Sequence, residues 1–193
     1  MWEELIKYDK ELFLLLNNLG TPPWDGFWMF ITNKLSSIPL YLLLLFLSYK
    51  QLGLRKILLL LVTVALLILV TDQLANFFKF GVQRLRPCYD TEIHDLMRLV
   101  KNSCGGKFGY FSAHAANSAA IAFFFTRLLR PKFRYIGIFL FVWAVMLAYS
   151  RIYIGVHFPL DVISGMLIGL VLSWLFAKLY VLAVDRFFFE LNR

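Results

Sequence analysis

Three short stretches of this chain carry the residue types needed to hold a phosphate ester and split it. They are Lys79 followed after six residues by Arg86-Pro87, then Phe111-Ser112-Ala113-His114, then Ser150-Arg151 with His157 and Asp161 behind it. Together they supply three cations, two histidines, serine hydroxyls and a carboxylate, all at the ends of strongly apolar segments. Ionisable side chains are costly near a bilayer core and persist there mainly when paired or functional. Cations suit the phosphoryl oxygens, and histidines can attack phosphorus or move protons.

Each stretch has a plainer reading beside the chemical one. Asp72, Asn76, Lys79, Gln83 and Arg86 recur at steps of four and three, so they share one face of a helix. Lys79 and Arg86 on that face could serve a phosphate or snorkel to lipid headgroups. Ser112 suits the N-cap of a helix, where free N–H groups and the positive dipole end also suit a phosphate oxygen. His114 alone reads as an interfacial histidine. Pro159 is well placed at a first helical position, which puts His157 against that helix's N-terminus. Asp161, four residues on, can reach back to one imidazole nitrogen and leave the other free to attack. Its alternative is a plain helix-dipole residue.

The elements that must position these groups are helices in a membrane. The chain has 193 residues, 60% hydrophobic content and a mean hydropathy of +0.69, which fits one membrane domain over 1–193. The net charge of +8 is dispersed among connectors and motifs, which argues against nucleic acid. Residues 2–20 form an amphipathic interfacial helix with Leu5, Tyr8, Leu12, Leu15, Leu16 and Leu19 at helical spacing. Its early Glu3, Glu4, Asp9 and Glu11 argue against a signal peptide. Spans are expected over 25–48, 54–83, 112–129, 133–149 and 159–184. The expected architecture is an all-α integral membrane bundle of about five transmembrane helices.

Lys50, Arg55 and Lys56 lie in one short loop and Arg127, Arg130, Lys132 and Arg134 in another, so the positive-inside rule makes that side cytoplasmic. The loop 87–110 and all three motifs then face outward. Cys88 and Cys104 both lie in that loop, where a disulfide or two free thiols are open readings. They make no zinc site with His94, and no metal or other cofactor is expected. Gly165 and Gly169, four apart, suit close helix packing. Lys34 and Asp72, counted inward at the helical rise, fall at similar depth and are expected to form an intramembrane ion pair.

The motifs resemble the type 2 phosphatidic acid phosphatase family, whose site is shared with vanadium haloperoxidases. The first and third match in full. The middle one departs, because the family usually has Pro-Ser-Gly-His where this chain has Phe111-Ser112-Ala113-His114. The resemblance implies that His157 attacks phosphorus to form a phosphohistidine, that Asp161 orients it, and that His114 protonates the leaving oxygen and then activates water. It implies that Lys79, Arg86, Ser112, Ala113 and Arg151 hold the phosphoryl oxygens without a metal. The expected partner is a lipid phosphate or diphosphate entering from the membrane, such as undecaprenyl diphosphate, phosphatidylglycerol phosphate or the lipid A 1-phosphate. The expected place is the bacterial inner membrane, with the site facing the periplasm. A haloperoxidase would be soluble, and a non-enzymatic lipid-binding or lipid-moving protein would not need both histidines with Asp161. Neither oligomeric state nor the particular lipid can be read from these residues.

Overall fold

The computed structural model describes residues 1–189 as helices and connecting loops, with no strand among the described residues. The helices are α1 (Trp2–Asn18), α2 (Pro22–Thr32), α3 (Ile38–Val82), α4 (Ala113–Leu129), α5 (Ile136–Tyr153) and α6 (Pro159–Phe189). The protein is an all-α membrane bundle. Three helical stretches are long and apolar enough to cross a bilayer: Lys34–Val82, Ile136–Tyr153 and Pro159–Phe187.

The first of these cannot cross as a straight rod. Forty-five residues of α3 would reach about 68 Å, more than twice a hydrocarbon core of about 30 Å. Gly53 breaks it with φ 76° and ψ 173°, a conformation an L side chain would oppose. The arm 38–52 folds back on the arm 54–82, so Ser37 and Tyr41 share a cavity with Ile68, Asp72 and Asn76.

The first expected span, 25–48, is therefore two pieces. Pro22 and Pro23 open α2, where the first N–H groups need no partner. Asn33 then leaves the helix at φ −73° and ψ 129°, and its side chain accepts the Leu35 N–H at 3.0 Å to start a short 3-10 turn over Lys34–Ser37. The fourth span also moves: α5 runs to Tyr153 rather than Tyr149. Arg151 lies in its last turn, with its side chain buried. Gly155, at φ 83°, reverses the chain beneath the Arg98 carbonyl.

α4 is the hub. Five of its six alanines are buried, and it packs most extensively on α6 and next on α5. A Cβ at Gly165 would meet the Ser112 carbonyl oxygen at 2.6 Å, and one at Gly169 would strike the Ala116 carbonyl. The two helices therefore touch backbone to backbone, and the Ser112 N–H donates to the Asp161 carbonyl at 2.9 Å.

α1 has two working faces. Leu5, Tyr8, Leu12, Leu15 and Leu19 are exposed, as an interfacial helix requires, while Asp9, Phe13 and Asn17 are buried against the bundle. The Asn17 side-chain amide donates to the carbonyls of Arg98, Ile152 and Tyr153, and its oxygen accepts the Arg98 N–H at 2.7 Å. The loop 87–110 is tied down further by Lys10, which pairs with Asp90 at 2.7 Å and Glu92 at 2.8 Å. Arg98 pairs with Asp25 of α2, and Cys88 and Cys104 stand as a disulfide pair with Cα atoms 6.3 Å apart.

Candidate active site

A cavity of about 520 Å³ opens between the α3 hairpin, the Lys34–Ser37 turn, α4 and the end of α5. Lys79, Arg86, Ala113, His114, Arg151 and His157 line it. Residues nearly eighty positions apart thus meet in one place, as the motif spacing leads one to expect.

Local structure explains each placement. α3 stops at Gln83, whose left-handed φ of 55° redirects the chain. The following stretch is bridged to Phe108: the Arg86 N–H donates to the Lys107 carbonyl at 3.1 Å and the Gly109 N–H to the Arg84 carbonyl at 2.8 Å. The Arg86 guanidinium donates to the carbonyls of Cys104 at 2.6 Å and Phe108 at 3.2 Å. Arg151 is 6% exposed, donates to the Thr32 hydroxyl at 2.5 Å and leaves its Nε buried without a partner. Neither arginine, nor Lys79, forms an ion pair with a carboxylate among the described residues. Buried donors held this way lose the solvation of water with no counter-charge in return, which suits an arriving anion.

His157 is 3% exposed, and its Nδ1 faces Asp161 Oδ2 at 3.5 Å, longer than a normal hydrogen bond. Burial, opposed by Asp161, holds the imidazole below its ordinary value, to about 4. The ring is therefore neutral at physiological pH, with Nδ1 turned to the carboxylate and Nε2 left for the cavity. Gly109 sits at this joint: a Cβ there would meet Asp161 Oδ2 at 3.1 Å and His157 Nδ1 at 3.6 Å.

Two expected site residues stand behind the wall rather than on it. Asp161 is fully buried behind His157. Ser112 is fully buried too, and its Oγ accepts the Ala115 N–H at 3.5 Å as the N-cap of α4. The expected Lys34–Asp72 ion pair does not form. Both residues line the cavity, but Lys34 is exposed on the 3-10 turn and Asp72 accepts the Asn117 side-chain amide at 2.8 Å. Counting depth at a helical rise fails across the break at Asn33.

Sequence reasoning missed Arg84 and Asp9. Arg84 Nη1 donates to Asp161 Oδ1 at 2.8 Å, and its Nη2 pairs with Asp9 Oδ2 of α1. The available signal was the i, i+4, i+8 series Asp9, Phe13, Asn17, which marks the protein-facing stripe of α1.

A membrane helical bundle that gathers Lys79, Arg86 and Arg151 with two histidines around one cavity fits the class of membrane phosphoester enzymes. The chain belongs to the PAP2 superfamily, whose model matches residues 55–185. It is 38% identical over 178 residues to a lipid A 4′-phosphatase of Bacteroides thetaiotaomicron, covering 91% of this chain and 78% of that protein. It is 34% identical over 190 residues to a lipid A 4′-phosphatase of Porphyromonas gingivalis, covering 95% and 78%. The fold resembles the crystal structure of a transmembrane PAP2-type phosphatidylglycerolphosphate phosphatase from Bacillus subtilis. The TM-score is 0.72 at 23% identity, covering 95% of this chain and 89% of that one. The protein is thus an integral membrane phosphatase, a hydrolase of phosphate esters, and the lipid-moving alternative falls away.

Proposed function

We propose that this protein removes phosphate from a phosphorylated glycolipid of the lipid A type at the periplasmic face of the inner membrane, through a phosphohistidine. The observation that carries the chemistry is Arg151, a buried cation whose idle Nε and missing carboxylate suit a phosphoryl oxygen. Lys79 and Arg86 line the same cavity and would take the remaining oxygens. His157 Nε2 attacks phosphorus, the P–O bond to the lipid breaks, and His114 gives its proton to the departing oxygen. His114 then takes a proton from water, whose oxygen attacks phosphorus. The P–N bond breaks, inorganic phosphate leaves and neutral His157 is restored.

The two bacterial relatives named above support lipid A as substrate. Beyond the cations the cavity offers Ser37, Tyr41, Asp72, Asn76 and Asn117, hydrogen-bonding groups that suit a sugar better than a polyprenyl chain. The basic loops at the opposite end of the bundle support the periplasmic placement. The cations take the place of a metal, so turnover is expected to survive a chelator. The test is phosphate release in detergent with chelator from lipid A, phosphatidic acid, phosphatidylglycerol phosphate and undecaprenyl diphosphate. Mass spectrometry should show loss of one phosphate from lipid A. Rapid release from the other three with lipid A untouched would overturn the substrate.

A further inference from the structure

Asp161 is not held by α6 alone. Its Oδ2, the oxygen facing His157, accepts the Phe158 N–H at 3.1 Å, while Oδ1 accepts Arg84 Nη1 at 2.8 Å. The other end of that guanidinium pairs with Asp9, whose Oδ1 accepts the Leu160 N–H at 2.9 Å. Arg84 Cζ lies over the Phe158 ring, 4.4 Å from its centroid. Asp9 is 4% exposed and Asp161 fully buried, and neither they nor Arg84 lines the cavity. Asp9 and Arg84 are 75 positions apart in sequence, and Arg84 and Asp161 are 77.

We propose that Arg84 and Asp9 are positioning residues for the reaction, clamping the Asp161 carboxylate and the first turn of α6 so that His157 is aimed at phosphorus. The proposal rests on His157 as the nucleophile. A carboxylate held at one oxygen can still swing about its terminal torsion. A guanidinium on the second oxygen removes that freedom, because its donors form a rigid planar fork. Asp9 completes the clamp by gripping the fork from the far side and the Leu160 N–H from the near side. Well-packed apolar residues would have filled the same space at no greater cost, since two desolvated carboxylates around one guanidinium gain little stability. What the charges add is direction. α1, whose outer face carries the exposed leucines, thereby becomes part of the active site.

The test compares Arg84→Gln, Arg84→Lys, Asp9→Asn and His157→Ala on the lipid panel above, with thermal stability measured beside kcat, KM and pH profile. Arg84→Gln should lower kcat by about 10- to 100-fold, as loss of a supporting partner does elsewhere, with KM within about threefold because Arg84 does not touch the cavity. Four groups face His157: Asp161 from α6, Arg151 from α5, His114 from α4 and Arg86 from the segment after α3. With the Arg84 cation gone, Asp161 acts more fully on the imidazolium. The acid limb of kcat/KM should therefore move to higher pH. Arg84→Lys should leave that limb in place and recover part of kcat. Asp9→Asn should lower kcat less than Arg84→Gln, again with KM held. A stably folded Arg84→Gln or Asp9→Asn protein with wild-type kcat would overturn the proposal, as would a rise in KM alone. Should Arg84→Gln fail to fold, Arg84→Lys and Asp9→Asn decide it by the same readings. Activity surviving in His157→Ala would instead overturn the nucleophile, a separate failure.

Discussion

The two sides of His157 are built on opposite electrostatic rules. In front, Lys79, Arg86 and Arg151 line a cavity with no carboxylate in ion-pair contact, and Arg86 and Arg151 use neutral oxygens as partners. Behind, Arg84 is pinned between two carboxylates, Asp9 and Asp161. Unpaired cations are expensive to bury and are worth the cost only where an anion arrives. Paired ones hold geometry. On the proposed mechanism, the difference separates residues that would meet the substrate from those that would hold the machinery.

The largest effect should come from the residue both sides share. On the proposed mechanism, His157→Ala should reduce phosphate release by about 10⁴-fold or more, as removing a nucleophile does in covalent hydrolases. His114→Ala should lose roughly 10²- to 10⁴-fold, the usual range for proton transfer, and leave a slowly formed phosphoenzyme detectable by acid-labile labelling. Near-normal turnover by His157→Ala would end the distinction between front and back.

A front-wall variant should behave differently from a back-wall one. Arg151→Met should cost about 10²- to 10³-fold in kcat/KM, the range seen on removing one transition-state donor. It should also weaken inhibition by vanadate, which imitates the pentacoordinate phosphoryl state. Arg84→Gln should leave vanadate affinity nearly unchanged. If both variants lose vanadate equally, the two walls are not functionally distinct.

The smallest effect concerns the loop above both. Joining Cys88 to Cys104 closes 16 residues of sequence separation, worth about 3 kcal/mol of ordering in the chain-entropy account. The Cys88→Ser, Cys104→Ser double variant should melt at lower temperature yet keep KM, and unreduced denatured wild-type protein should label no free thiol. Two labelled cysteines would remove the bridge from the description.

The front wall was legible in the sequence because its residue types are chemically restrictive and their spacing is rigid. Lys79, Arg86, Ala113, His114, Arg151 and His157 all reach one cavity. The back wall was not, because nothing local links Asp9 to Arg84. Asp9 entered only as one of the early acidic residues that argue against a signal peptide, and only tertiary packing shows which polar residues look inward. Breaks hid the rest. The departure at Asn33 moved Lys34 onto a turn and undid its pairing with Asp72, and α5 runs on by four residues past Tyr149. Periodicity identified the helices well, but it could not show where polar side chains would be sheltered rather than expelled.

The backbone contact between α4 and α6 also closes one seam of the bundle. With Gly165 and Gly169 pressed against Ser112 and Ala116, no acyl chain can slip between those helices there, and no α6 residue among the described residues borders the cavity. The cavity's other flank is lined by Tyr41 and by residues of the Lys34–Ser37 turn. Widening the sealed seam would not make a door. It would let the wall that carries His114 drift from the floor that carries Asp161.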